Sequence, residues 1–200
     1  MIPFLRFDYH VNKVVSECFY HLKNLSKIKR YLTLEDTEKL IHAIVSSKFD
    51  YCNALLHGLK ATTLVKLQKV QNYAARIARN LPSNYRITDS VLQDLHWLSV
   101  KERITFKILL LVHKFFVGIA PDYFNELLIV GDMQERLLCH HFMNTVSGMR
   151  SFSFSASRFW NPLPRKIRFE NNTQTFKRSI KTVLFSNVNN ITQADDLYTR

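Results

Sequence analysis

Chemistry at two metal ions needs carboxylates brought within reach of a pair of ions about 4 Å apart. The 200-residue chain has two pairs of adjacent acids, Glu35-Asp36 and Asp195-Asp196. The first pair follows Thr33, where acidic side chains suit the positive N-terminal end of a helix, and the second lies in a polar tail. Neither forms a metal cradle. Cys139, His140 and His141 offer a thiolate and two imidazoles, but a structural zinc site wants four ligands at characteristic spacings and no second pair is nearby. Cys52, beside Asp50 and five residues before His57, has the neighbours of a thiol nucleophile; its place on an apolar helix face predicts a buried structural cysteine instead. No Walker-type phosphate loop and no Gly-x-Ser-x-Gly elbow occurs. The sequence therefore predicts no catalytic residue, no metal and no cofactor.

The remaining chemistry is that of cations. Twenty-eight Lys and Arg against 16 Asp and Glu leave a net charge of +12, which favours a polyanionic partner. The stretch from Lys60 to Arg86 contains no acid, and from Arg136 to Lys181 nine basic residues face one acid, Glu170. Lys66, Lys69, Tyr73, Arg76 and Arg79 form one candidate face, with Arg165, Lys166, Arg168, Lys177, Arg178 and Lys181 as the other. Such side chains bind phosphate by releasing counterions and do not read bases, so the expected partner is RNA or DNA backbone, bound non-specifically.

The elements that position these residues read as helices. From Val11, apolar residues recur at three and four through Val14, Val15, Cys18, Leu22 and Leu25, predicting a helix that ends near Tyr31 with a polar, basic outer face. Thr33 is expected to cap a second helix that carries Leu40, Ile41, Ile44, Val45, Cys52, Leu55 and Leu56 to a core and ends at Gly58. A third runs from about Thr62 to Arg79, stopped by Asn80 and Pro82, and Val91 to Leu98 forms a short turn that inserts Trp97. Ser99 and Glu102 make a capping box for a fourth helix reaching Gly118 and Pro121. After Leu128 the pattern weakens, and the alternation Ser151, Phe152, Ser153, Phe154, Ser155 reads as loop or short strand. A last helix with Phe176, Ile180, Val183 and Leu184 inside is capped near Thr173, and a polar tail from Asn187 is expected to fray. The fold class is thus mainly α, a helical bundle with an irregular or small β segment before a C-terminal helix. With three cysteines, no signal-peptide pattern and no apolar run near the roughly 20 residues of a membrane span, the expectation is an intracellular protein of cytoplasm or nucleus, away from the membrane.

Phe49-Asp50-Tyr51-Cys52-Asn53-Ala54-Leu55-Leu56-His57-Gly58-Leu59 is followed by Leu67-Gln68-Lys69-Val70-Gln71-Asn72 and Ala74-Ala75-Arg76. Next come Leu95-His96-Trp97-Leu98, Arg103-Ile104, Phe106-Lys107-Ile108-Leu109, Ala120-Pro121, Phe159-Trp160-Asn161 with Leu163-Pro164, and Phe176-Lys177 before Lys181-Thr182. In content and order this resembles the region just after the polymerase palm in non-LTR, LINE-type, jockey-like retrotransposon reverse transcriptases, roughly from Phe7 to Phe185. The resemblance departs at Ile87-Thr88-Asp89, where the family commonly has Ile-Thr-Pro, and at Leu98-Ser99-Val100, where it has Leu-Pro-Val.

The resemblance implies thumb-like helices that grip template and primer backbone, with the palm of an RNA-directed DNA polymerase as a further partner. It does not imply catalysis by this chain, because the palm aspartates have no counterpart here. It divides the sequence into a remnant of a preceding domain at 1–10, a helical thumb-like domain at 11–128, a basic C-terminal region at 129–186 and a frayed tail at 187–200. The alternatives are a helical protein-interaction module, whose basic faces meet acidic protein, and a non-functional retroelement remnant.

Overall fold

A computed structural model describes residues 7–131, 136–138, 148 and 150–186. The fold is mainly α, with one small sheet ahead of a C-terminal helix. The chain forms two compact units, Met1–Lys101 and Glu102–Arg200, and the division falls inside the helix that opens at Val100.

In the first unit, α1 (Asp8–Ile28) runs into a 3-10 turn at Lys29–Tyr31. Val11, Cys18, Leu22 and Leu25 are its buried residues, at the spacing the sequence shows. α2 (Leu34–Ile41) starts where expected: the Thr33 hydroxyl accepts the Asp36 N–H at 3.1 Å. The helix then departs from the expected continuous run to Gly58. A π turn at His42–Ser46 leads into α3 (Ser47–Asp50), the helix ends at the extended Tyr51, and Asn53–Leu56 is a 3-10 turn. The buried row explains the π turn. Thr37, Ile41, Val45 and Phe49 recur every four residues, and in a 3.6-residue helix such a row rotates by about 40° per step, whereas a wider turn keeps it on one side. Cys52 then takes up the left-handed conformation with φ 51°. As a result Cys52 and Leu55 are exposed and Leu56 is buried, which corrects the expectation that Cys52 lies in the core.

α4 (Ala61–Ala78) lies beside α1, and its buried residues include Leu67, Val70, Ala74 and Ile77. Four pairings at nearly constant separation show that the two helices run parallel. Thr63 Oγ1 donates to Asp8 at 2.9 Å, Lys66 Nζ to Asn12 at 2.8 Å, and Lys29 Nζ to Asn80 at 2.7 Å, while the Phe19 and Tyr73 rings meet at 5.8 Å. Asn80, with φ 51°, ends α4 in a Schellman motif: Leu81 N–H reaches the Arg76 carbonyl and Asn80 N–H that of Ile77. α5 (Asp89–Asp94) ends the same way on His96, with φ 53°, and this turn delivers Trp97 to the core at 3% exposure.

α6 (Val100–Phe116) ends on Gly118 with φ 75°, again in a Schellman motif. The second unit continues with α7 (Phe124–Leu127) and the antiparallel strands β1 (Ile129–Val130) and β2 (Leu137–Leu138), paired Ile129 to Leu138 and Val130 to Leu137. The serine-rich alternation is a helix, α8 (Phe152–Trp160), where loop or strand was expected. The Ser151 hydroxyl accepts the Phe154 N–H, and Ala156 and Trp160, four apart, face the core; the cap and that pair outweigh a two-residue alternation. α9 (Arg165–Arg168) and α10 (Thr173–Ser186) complete the unit. Asn172 caps α10, its side-chain oxygen accepting the N–H groups of Gln174 and Thr175, one residue ahead of the expected Thr173.

Four rings from three helices form the centre of this unit. His113 stacks on Phe176 at 4.0 Å, Phe116 stacks on Trp160 at 5.1 Å, and Trp160 meets Phe176 at 5.9 Å. Both tryptophans are therefore core anchors, as their Leu- and Pro-rich surroundings suggest. Cys139, His140 and His141, weighed above as metal ligands and set aside, lie outside the described residues, as do the first six residues and the tail from 187.

Candidate nucleic-acid interface

The sequence places five candidates on α4, and the structure separates them. Lys66 and Lys69 are exposed, with Lys66 bonded to Asn12. Arg76 is half-buried, and its Nε donates to the Tyr85 carbonyl at 2.7 Å. Arg79 is exposed and donates to the Asp94 carbonyl at 2.7 Å. Tyr73 rests against Phe19. Helix periodicity put these residues in one arc, but it could not show that the chain after Asn80 folds back over the end of that arc. Arg76 and Arg79 fasten that returning chain, each satisfying a backbone acceptor that would otherwise need water.

The second set lies on α9 and α10. α10 turns Phe176, Ile180 and Leu184 inward, which leaves Lys177 half-buried and Arg178 and Lys181 exposed, all within one turn. None of these three side chains has a hydrogen bond or ion pair among the described residues. Arg165 and Lys166 are exposed on α9, which packs on α10, and the Arg165 guanidinium sits over the Phe169 ring at 5.2 Å. The only acid in the segment, Glu170, accepts the Asn172 N–H at 2.8 Å. Arg168 leaves the candidate set. It is 5% exposed, and its Nε donates to the Leu163 carbonyl at 3.2 Å, so it holds the turn that joins α8 to α9.

Other residues in the motif words hold the backbone in place. Gln68 accepts the N–H of Val100, at the first turn of α6, and Gln71 donates to the Leu98 carbonyl at 2.8 Å. Asn161 accepts the N–H of Leu137 and donates to its carbonyl, tying β2 to the end of α8. The one sequence signal for these roles is an amide side chain beside a buried apolar or aromatic residue.

In the first unit an open cleft of about 210 Å³ is lined by His10, Val14, Glu17, Ser47, Lys48 and Tyr51. Lys48 is hydrogen-bonded to Glu17 and holds that carboxyl below its usual range, while the Ser47 hydroxyl donates to the Ala43 carbonyl. Within this cleft the Glu17 carboxylate is thus held by Lys48 and the Ser47 hydroxyl by a backbone carbonyl. Among the described residues no cluster of His, Cys, Asp and Glu could hold a metal ion, and no helix is long and apolar enough to cross a membrane. The chain matches no protein-family model, no curated protein and no solved structure.

Proposed function

We propose that this chain is a non-catalytic, nucleic-acid-binding region of the kind that follows the palm in non-LTR retrotransposon reverse transcriptases, and that it holds RNA or DNA backbone through the cations of α9 and α10. The observation that carries the reading is the state of those side chains: Arg165, Lys166, Lys177, Arg178 and Lys181 lie on two packed helices and make no ion pair among the described residues, and the one acid in the 136–181 sequence, Glu170, is turned to a backbone N–H. Cations left without protein carboxylates are available to phosphates. The order of the motif words supports the family reading, and the parts they play in holding the fold explain why such words would recur together.

A salt titration by fluorescence anisotropy, with labelled RNA and DNA duplexes, tests the proposal. Five neutralised phosphates give a slope of log affinity against log salt of up to about −4.5 on duplex DNA, at about 0.9 per phosphate. Affinity that is absent at low salt, or that does not change with salt, contradicts the reading and favours a protein partner.

A further inference from the structure

The outward face of α1 carries a second kind of surface. Tyr9 and Tyr20 are eleven residues apart, which on a helix is three turns with a drift of about 20°. They are 80% and 65% exposed, and Tyr31, eleven residues further on in the 3-10 turn, is 74% exposed. Lys13, Lys23 and Lys27 lie between them and are exposed too, and Arg30 sits over the Tyr31 ring at 4.7 Å. Both acids of α1 are engaged by other helices: Asp8 accepts from Thr63, and Glu17 accepts from Lys48. Lys66 of α4 joins this surface through its bond to Asn12.

We infer that this face of α1 is a binding surface for single-stranded nucleic acid, on which unpaired bases stack against Tyr9, Tyr20 and Tyr31 while the lysines between them meet phosphates. Exposed rings interleaved with cations are the combination that single-strand binders use, because every base has a face to stack and every linkage has a charge. Tyr9 and Tyr31 are about 33 Å apart along the axis at 1.5 Å per residue. A stacked strand at about 3.4 Å per nucleotide covers that length with about ten nucleotides, inside the range of known single-strand sites. A membrane surface fits less well. The apolar side of α1, with Val11, Cys18, Leu22 and Leu25, is already buried, so the exposed side offers separated phenol rings and no continuous apolar strip to enter a bilayer.

The inference stands on unit 1 and does not need the cations of α9 and α10. The probe is a labelled 12-nucleotide oligothymidylate, compared with an abasic deoxyribose-phosphate 12-mer, with heparin and with vesicles of one-third phosphatidylserine. The Y9A/Y20A/Y31A protein should bind oligothymidylate at least tenfold more weakly, lose little on the abasic strand or heparin, and keep the parental circular dichroism and melting. A Tyr20→Trp protein gives a second readout: its indole emission should be quenched by oligothymidylate and not by heparin. Equal losses on oligothymidylate and the abasic strand, an unchanged oligothymidylate affinity, or tyrosine-dependent binding to vesicles alone would each overturn the proposal. K177Q/R178Q/K181Q keeps the two claims apart. If that variant abolishes duplex binding but leaves the tyrosine-dependent single-strand component, both surfaces stand. If duplex binding fails from the start, the single-strand result still judges α1.

Discussion

α4 and α10 each carry a row of cations opposite an apolar face, and on paper the two rows look alike. On α4, Lys66, Arg76 and Arg79 all donate to oxygens of the protein itself, an asparagine side chain and two backbone carbonyls. On α10, Lys177, Arg178 and Lys181 donate to none among the described residues. For α4 the cause is what comes next in the chain. After α4 the polypeptide turns at Asn80 and passes back to α5, bringing the carbonyls of Tyr85 and Asp94 to the arginines. The cation row of α10 meets no such returning segment within the described residues. A basic stripe is thus a surface or a fastening according to the path of the chain around it, and charge counting alone does not distinguish them.

The largest expected effects concern the anchors that hold each region in shape. Trp160→Ala removes a ring packed against Phe116 and Phe176 and should cost about 3–5 kcal/mol, and Trp97→Ala should cost about the same in the first unit. Urea unfolding checks both. Losses below about 1 kcal/mol would mean that these rings are not the anchors of their units.

A smaller effect sharpens the contrast between the helices directly. Replacing Arg76 or Arg79 by Gln removes a charged donor from a backbone carbonyl and should lower stability by about 0.5–1.5 kcal/mol. The same change at Arg178 or Lys181 should leave melting within about 0.5 kcal/mol, since exposed side chains without partners contribute little.

Acid should act on the second unit through His113. Burial holds this imidazole below its ordinary range, with Glu170 pulling weakly the other way. The unfolded chain then takes up a proton at a pH where the folded one does not, so the contribution of His113 is lost as pH falls below the ordinary value of about 6.5 and is constant above it. Thermal unfolding followed from pH 7.5 down to pH 5 should show that loss, and His113→Gln should flatten it. An unchanged profile in the variant would assign the acid effect elsewhere.

Thiol labelling gives the mildest test. Cys52 is exposed and should react at once, whereas Cys18 is buried, with burial pushing its thiol up to about 11, and should react only on unfolding. In a Cys139→Ser background, which leaves only these two thiols, two fast-reacting thiols would contradict the packing of α1.

Most of the fold was legible because local signals agreed with the final packing. Thr33, Asn80 and Gly118 mark helix ends in the sequence and mark them in the structure. The path around Cys52 was not legible: a row at steps of four can be kept inward by a π turn, and only tertiary contact selects that turn over a longer α-helix. Ser151 to Ser155 misled because a period of two in serine and phenylalanine concealed a cap and a helical pair. The candidate site was legible as charge and illegible as commitment. Arg168 and Arg178 are the same residue type ten positions apart, and one is buried against a carbonyl while the other is exposed.

On the proposed function, the cations of α9 and α10, and not the arginines of α4, meet phosphate. Salt-dependent anisotropy on one DNA duplex tests it with K177Q/R178Q/K181Q set against R76Q/R79Q. The first variant should flatten the slope by up to about 2.7 units, at about 0.9 per phosphate, while the second should keep the parental slope despite its lower melting point. A parental slope in the first variant together with a flattened one in the second would contradict it.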